Sequence, residues 1–217
     1  MQIHYFGLSS FKIQTKDAVV ITDPFDKESG LTPPRGAADV IILSEKNNKL
    51  YTATSGFSGD PFMVDDPGEY DLKGVTITGI PLKQEGDEAK DGKPRYVTAE
   101  LIESEDIRIL NLTHIRTFNM KEDDIESLGE IDILILPVGG NSVMTAKDAV
   151  KVVHEIEPKI VIPSHYHTDG LKLPYEKVDA FVKEMGGKSE PMDKLLIKKK
   201  DFSPEEIKKL ILLEPLR

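Results

Sequence analysis

Residues 131–167 constrain this chain more than any other segment. They open on an apolar run, Ile131-Asp-Ile-Leu-Ile-Leu136, which Pro137-Val-Gly-Gly-Asn141 breaks. A helical pattern follows over 145–157, where Ala149, Val152, Val153 and Ile156 recur at the spacing of one helix face. Thr145 and Asp148 are placed as a capping box at its start. A second apolar run, Ile160-Val-Ile162, ends in Pro163-Ser-His165-Tyr-His167. Two near-continuous apolar runs around one helix predict a βαβ unit with buried parallel strands. Ligands of such units sit beyond the carboxyl ends of the strands. Here those ends carry Gly139-Gly140, where backbone can approach a ligand closely, and two of the five histidines. One expectation is a site at this edge; the other is a strand that ends in a polar turn.

The 217 residues are enough to bury one substantial core, so one domain spanning 1–217 is expected. A formal net charge of −10 argues against an electrostatic grip on nucleic acid or an anionic membrane. The absence of cysteine excludes disulfides and thiolate metal sites, leaving His, Asp, Glu or backbone as metal ligands. No apolar run reaches membrane-spanning length, and the N-terminus lacks the pattern of a signal peptide. A cytoplasmic location is the expectation.

Three short strands are predicted at Ile3-His-Tyr-Phe6, Phe11-Lys-Ile-Gln-Thr15 and Ala18-Val-Val-Ile-Thr22. Asp23-Pro24 ends the third, and Asp23 reads as a turn residue or as an acceptor supporting a site. Residues 26–38 read as an irregular loop. Val40-Ile-Ile-Leu43 is another buried strand, running into a dense polar segment, residues 44–50, that reads as a solvated loop leading into a helix. Strand pattern resumes at Phe62-Met-Val64, Tyr70-Asp-Leu-Lys73 and residues 75–80, and Glu69 reads as a structural cap. The charged stretch 83–94 reads as a loop. Residues 96–102 and 107–112 form a hairpin that ends in Thr113-His114, and 121–128 form a short helix. After the βαβ unit, 174–185 read as a helix beginning at Pro174 and ending at Gly186-Gly187. Leu195-Leu-Ile197 and residues 209–213 are terminal strands, joined by a turn at Ser203-Pro204-Glu205. Lys198-Lys-Lys200 reads as a solvated end. A strand-rich first half followed by alternating helix and strand suits two facing sheets with helices outside, a mixed α/β sandwich.

These strand ends also line up with a family. The landmarks are Gly7-Leu-Ser-Ser-Phe-Lys-Ile13, Thr22-Asp-Pro24, Pro33-Pro34 followed by Ala38-Asp-Val40, and Pro67-Gly-Glu-Tyr70. Further on come Ile77-Thr-Gly-Ile-Pro81, Leu128-Gly129 with 132–140, and Lys159-Ile-Val-Ile-Pro-Ser-His-Tyr166. Over roughly residues 1–185 the chain resembles the metallo-β-lactamase fold, and within it a small bacterial branch of zinc-dependent hydrolases. The resemblance implies an αββα sandwich of two mixed β-sheets with outer helices, and a site along one edge of both sheets. It also implies one or two zinc ions, which lower the pKa of a bound water and polarise the substrate.

Carried over residue by residue, that machinery is largely replaced. The four positions of the family's His-x-His-x-Asp-His loop fall on Glu45, Asn47, Lys49 and Leu50. A later histidine falls near Gln84, an aspartate falls on His114, and the histidine of an early Gly-His-Ser turn is Leu8. Only His165 stands where the family has a histidine. Leu50 has no donor atom, Lys49 repels a cation, and Asn47 and Gln84 are weak zinc ligands. What remains is Glu45, His114 and His165, a possible His₂Glu mononuclear zinc set. The other reading is that Glu45 pairs with Lys49 or a histidine where metal once sat. His167 is a weaker candidate: in an extended segment it points the same way as His165. His4 reads as part of a strand surface, and His154 lies on the exposed flank of its helix.

Two functions compete. One is a hydrolase-like protein, a pseudoenzyme with a degenerate metal site and no cofactor, that binds a small molecule or a protein at Asp23, Glu45, Asn47, Lys49, Gln84, His114 and His165. The other is an atypical mononuclear zinc hydrolase using Glu45, His114 and His165. Nucleic-acid processing is disfavoured by the acidic charge. Ser44 and Ser164 near His165 form too loose a set for a nucleophile and its base.

Overall fold

The computed structural model describes residues 1–88, 94–202 and 208–216, without the side chains of 85–88. The chain runs through β1 (Gln2–Gly7), β2 (Ser10–Gln14), β3 (Val19–Thr22), β4 (Gly36–Ala37), β5 (Val40–Ile42), β6 (Phe57–Ser58), β7 (Phe62–Val64) and β8 (Gly68–Leu72). There follow β9 (Val75–Glu88), β10 (Pro94–Ser104), β11 (Ile107–Asn111), α1 (Glu122–Ser127), β12 (Ile133–Pro137), α2 (Ala146–Ile156) and β13 (Ile160–Ser164). The last elements are α3 (Asp179–Glu184), β14 (Glu190–Met192), β15 (Leu195–Leu196) and β16 (Lys209–Leu213). They build a six-stranded sheet, β15-β1-β2-β3-β5-β7, and an eight-stranded sheet, β14-β16-β13-β12-β11-β10-β9-β8, while β4 and β6 pair as a small two-stranded sheet.

Both sheets are mixed, and one apolar core joins them. Strand alternation selects its members: Ile3, Tyr5, Ile13, Val20 and Ile42 of the first sheet share it with Ile77, Val97, Ile109 and Ile162 of the second. The intervening residues Ile21 and Ile41 point the other way, into a smaller cluster with Ala38, Leu43, Phe57 and Met63. The α/β sandwich expected from the strand pattern is therefore present. Helix α2 packs on β12 and on α3, with Ala149, Val152 and Val153 buried. Its start is fixed as the sequence suggests: Thr145 Oγ1 accepts from the Asp148 N–H at 3.2 Å and donates to the Asp148 carboxylate at 2.7 Å. No helix among the described residues is long and apolar enough to cross a membrane.

The βαβ expectation holds, with β12 and β13 parallel from Ile133↔Ile160 to Pro137↔Ser164. Strand β11 runs parallel beside them, and β3, β5 and β7 are parallel in the other sheet. The carboxyl ends of these strands carry Asp23, Ser44, His114 and His165, and they meet at one edge of the sandwich.

Several expectations need correction. The stretch 83–94 is not all loop, because β9 continues through Glu88 and pairs with β10 (Lys83↔Tyr96, Gln84↔Arg95). Leu82 and Gln84 are buried there, which keeps the strand in register; residues 89–93 lie outside the described ones. The helix expected at 174–185 begins only at Asp179. Residues before it are held by backbone hydrogen bonds, Glu176 N–H to Gly139 O and His167 N–H to Glu176 O, both 2.8 Å, which a helix would break. The two terminal strands sit in different sheets, β15 beside β1 and β16 beside β13. The turn expected at Ser203-Pro204-Glu205 lies outside the described residues. Lys198-Lys-Lys200 is not simply solvated: Lys199 Nζ stands 2.8 Å from the buried Asp132, whose other oxygen lies 2.8 Å from Lys159 Nζ. Glu69 is no cap but a strand residue opposite Thr78.

Gly139 does not leave room for a ligand. A Cβ at this position would lie 2.0 Å from the His165 carbonyl oxygen and 3.0 Å from Tyr175 Cβ. The glycine is what lets the end of β12 lie against the end of β13. Gly139→Ala must push these ends apart, so urea denaturation should register a loss of about 2 kcal/mol or more. A loss under about 0.5 kcal/mol would contradict this packing.

Candidate functional site

The site is assembled from strand ends that turn sharply. Asp23, Thr113 and His165 all adopt left-handed backbone, with φ of 37°, 52° and 52°. Such turns stop the strands and aim side chains along the edge. The left-handed turn at His165 also ends the period-two geometry, so His167 does not share its direction as an extended segment would require. His167 is tied instead through its backbone to Glu176.

Asp23 is fully buried. Its carboxylate accepts from the Ser44 N–H at 2.9 Å and stands 2.8 Å from the Ser44 hydroxyl through either oxygen. His114 Nδ1 lies 3.3 Å from Ser44 Oγ and 3.6 Å from Asp23 Oδ2. On the other side of the ring, Nε2 lies 3.2 Å from Glu45 Oε2. Glu45 is clasped in turn: Arg95 Nε meets Oε1 and Nη2 meets Oε2, both at 2.7 Å, and Asn48 Nδ2 donates to Oε2 at 2.9 Å. This is the two-bond fork in which a guanidinium matches a carboxylate in plane.

Tyr51 links this network to His165. Its ring stacks on His114 with centroids 4.6 Å apart, and its hydroxyl reaches His165 Nε2 at 2.9 Å. Tyr175 meets the His165 ring edge-on at 5.3 Å. The two imidazoles lie 5.9 Å apart, centroid to centroid.

Protonation follows from these neighbours. Burial works against a charged His114, but the Asp23 and Glu45 carboxylates outweigh it and raise its pKa. Glu45 also loses by burial, yet His114, Arg95 and Asn48 hold its pKa well below the usual carboxylate range. His165 goes the other way: burial, and then the charge on His114, push its pKa far down. Burial raises the Tyr51 phenol, with Tyr175 adding to the effect. The edge therefore sets one imidazole, its pKa raised, between two carboxylates, beside a second imidazole, its pKa lowered, that is capped by a phenol.

Each residue singled out from the sequence has a definite place. Asp23, Glu45, His114 and His165 converge. Asn47 and Lys49 are exposed and line a cleft of about 580 Å³ in front of them. Gln84 does not reach this cleft; it is buried and accepts from the Arg116 and Thr117 N–H groups at 2.7 and 3.3 Å, supporting the loop that carries His114. His4 is half-buried on β1, and exposed His154 lies 3.1 Å from Lys208 Nζ. Sequence reasoning missed Arg95, Asn48, Tyr51 and Tyr175. Arg95 follows a charged stretch and Tyr175 sits in an expected helix, so neither carries a local pattern that marks it.

As arranged, these residues do not fit a metal ion. Both Glu45 oxygens are engaged by a guanidinium, each His114 nitrogen faces a carboxylate, and a phenol occupies His165 Nε2. Among the described residues no group of three or more His, Asp or Glu is disposed to hold a metal. Nor is Ser44 a poised nucleophile, since it is buried and its hydroxyl lies closer to Asp23 than to His114.

Comparison with known proteins places this geometry in context. The family described as Beta-lactamase superfamily domain matches residues 2–165. A UPF0173 metal-dependent hydrolase of Lysinibacillus sphaericus is 28% identical over 202 residues, covering 77% of this chain and 86% of that protein. The UPF0173 metal-dependent hydrolase YtkL of Bacillus subtilis is 27% identical over 203 residues, with the same coverage of 77% and 86%. A crystal structure of a metallo-β-lactamase superfamily protein from Thermotoga maritima superposes with a TM-score of 0.78, at 29% identity and over 98% of each chain.

The raised pKa of His114 makes a signed prediction. A base with a raised folded-state pKa adds stability that is fully present below its ordinary value of about 6.5 and lost as pH rises through the folded value. Glu45, shifted down, adds stability present above about 4.5 and lost in more acid solution. His165 has the opposite sign to His114 and is depressed in part by the His114 charge, but with its pKa lowered it affects stability only below about 6.5. The stability difference between the native chain and a His114→Gln variant should therefore shrink from about pH 6.5 toward pH 9. A difference that stays flat or grows with pH, measured by denaturation, would overturn the charged-histidine assignment.

Proposed function

The chain belongs to the beta-lactamase superfamily, and from that premise we propose that it has exchanged a metal centre for a network of ion pairs. It acts by binding a ligand in the cleft rather than by metal-dependent hydrolysis. The observation that carries this reading is the Arg95 fork on Glu45, with both contacts at 2.7 Å. A guanidinium is permanently charged, so it supplies at this carboxylate the positive charge that a metal would otherwise bring. Asp23 and His114, 3.6 Å apart, form a second contact behind it. A cleft of about 580 Å³ is of the size that takes a small molecule.

A second reading has one observation in its favour, the names of the relatives as metal-dependent hydrolases. In that reading Glu45, His114 and His165 hold a single zinc ion. It requires Arg95 to leave Glu45 and Tyr51 to leave His165, two rearrangements with a cost in lost charge-assisted and buried hydrogen bonds.

Elemental analysis separates the two. Untagged protein, dialysed against trace zinc, should retain far less than one zinc per folded chain. Close to one zinc per chain, lost in His165→Ala, would overturn the metal-free reading and make the mononuclear hydrolase the better account.

A further inference from the structure

The charges around the cleft are not balanced. Glu45 is the sole carboxylate among the described residues lining it, and four donors already engage its two oxygens: Arg95 Nε and Nη2, Asn48 Nδ2 and His114 Nε2. Arg95 is the cationic partner of Glu45. Lys49 also lines the cleft, is exposed, and forms no ion pair among the described residues. Among the described residues the lining thus carries more basic than acidic side chains, on a chain whose net charge is −10. A bound anion would meet Lys49, and among the described lining residues the one carboxylate, Glu45, is already engaged.

The cleft also presents apolar surface. Leu50, Val143, Leu173 and Tyr175 line it, and the Tyr175 hydroxyl is held 3.1 Å from Ser142 Oγ. The Tyr175 segment is fixed to the sandwich through the Glu176–Gly139 backbone bond, so this wall is preformed. The lining therefore combines a cation and amide groups, Lys49 with Asn47 and Asn48, with apolar and aromatic surface.

We infer that the cleft takes a small organic monoanion, with a carboxylate head at Lys49 and Asn47 and an apolar body against Tyr175, Leu173 and Val143. This deepens the metal-free binding reading and rests on it. Lys49 then sets specificity: it discriminates the acid from its neutral amide, because head charge is what the cleft lacks. The apolar wall supplies affinity without regard to charge.

Matched probes test this. Phenylacetate and hexanoate, with phenylacetamide and hexanamide as neutral counterparts, are titrated into isotopically labelled full-length protein and followed by two-dimensional NMR. The acids should shift the resonances of Lys49, Tyr51 and Tyr175 saturably, with each amide weaker by about tenfold or more. Lys49→Met, a change at an exposed position, should reduce acid binding to the amide level. Added salt should weaken the acids and spare the amides.

Equal binding of acid and amide at these resonances would overturn the anion assignment and leave the cleft as a metal-free binding site. No saturable shift with any probe up to about 50 mM would also overturn it. Zinc chloride added to the same samples separates that failure from failure of the underlying reading. Stoichiometric zinc shifts at His114 and His165 would bring down the metal-free site itself, and their absence would leave it standing.

Discussion

The site depends on the fork between Arg95 and Glu45. Arg95 enters β10 beside β9 in the eight-stranded sheet, and Glu45 follows β5 in the six-stranded sheet, so the pair ties the two sheets across their shared edge. Once Glu45 is held, its Oε2 sets the His114 ring, whose other nitrogen turns toward Ser44 and Asp23. The fixed ring gives Tyr51 a surface to stack on, and the Tyr51 hydroxyl reaches His165. Each step sets the geometry of the next. Partly buried charge pairs of this kind add little net stability over apolar packing, but losing one partner is costly because the other charge is left behind. The network is therefore better read as a device that fixes one arrangement than as a source of stability.

Much of the fold was legible because periodicity survives tertiary context. The apolar runs 131–136 and 160–162, which form β12 and β13, the stripe on α2 and the Thr145 cap are all set locally. Misreadings arose where a distant partner decided the outcome. Pro174 and the pattern after it favour a helix, but Glu176 is tied by backbone hydrogen bonds to Gly139 and His167, and the helix begins only at Asp179. The charged stretch after Pro81 looks like a loop, yet pairing with β10 extends the strand through Glu88. Lys199 looks solvated in sequence, and its partner Asp132 lies far away along the chain.

The candidate site was legible in outline and not in its logic. The resemblance brought Asp23, Glu45, His114 and His165 to one edge, and the structure puts them there. It did not indicate what had taken over at the replaced positions. Expected partners for Glu45 were Lys49 or a histidine; the histidine is found, but the dominant partner is Arg95, which lies 50 residues along the chain. An arginine at a strand entrance has no local signature. Its role follows only from the register that sets Arg95 opposite Gln84. Gln84 shows the same limit from the other side: the resemblance sets a ligand position near it, and the structure shows its amide supporting the His114 loop.

The most direct test is the protonation of the His114 ring, read by nitrogen NMR on the labelled protein at neutral pH with and without zinc. With Asp23 on one side and Glu45 on the other, both ring nitrogens should carry protons, and zinc should leave the signals unchanged. A neutral ring with one nitrogen moved by zinc to a metal-bound shift would contradict the exchange of a metal centre for ion pairs.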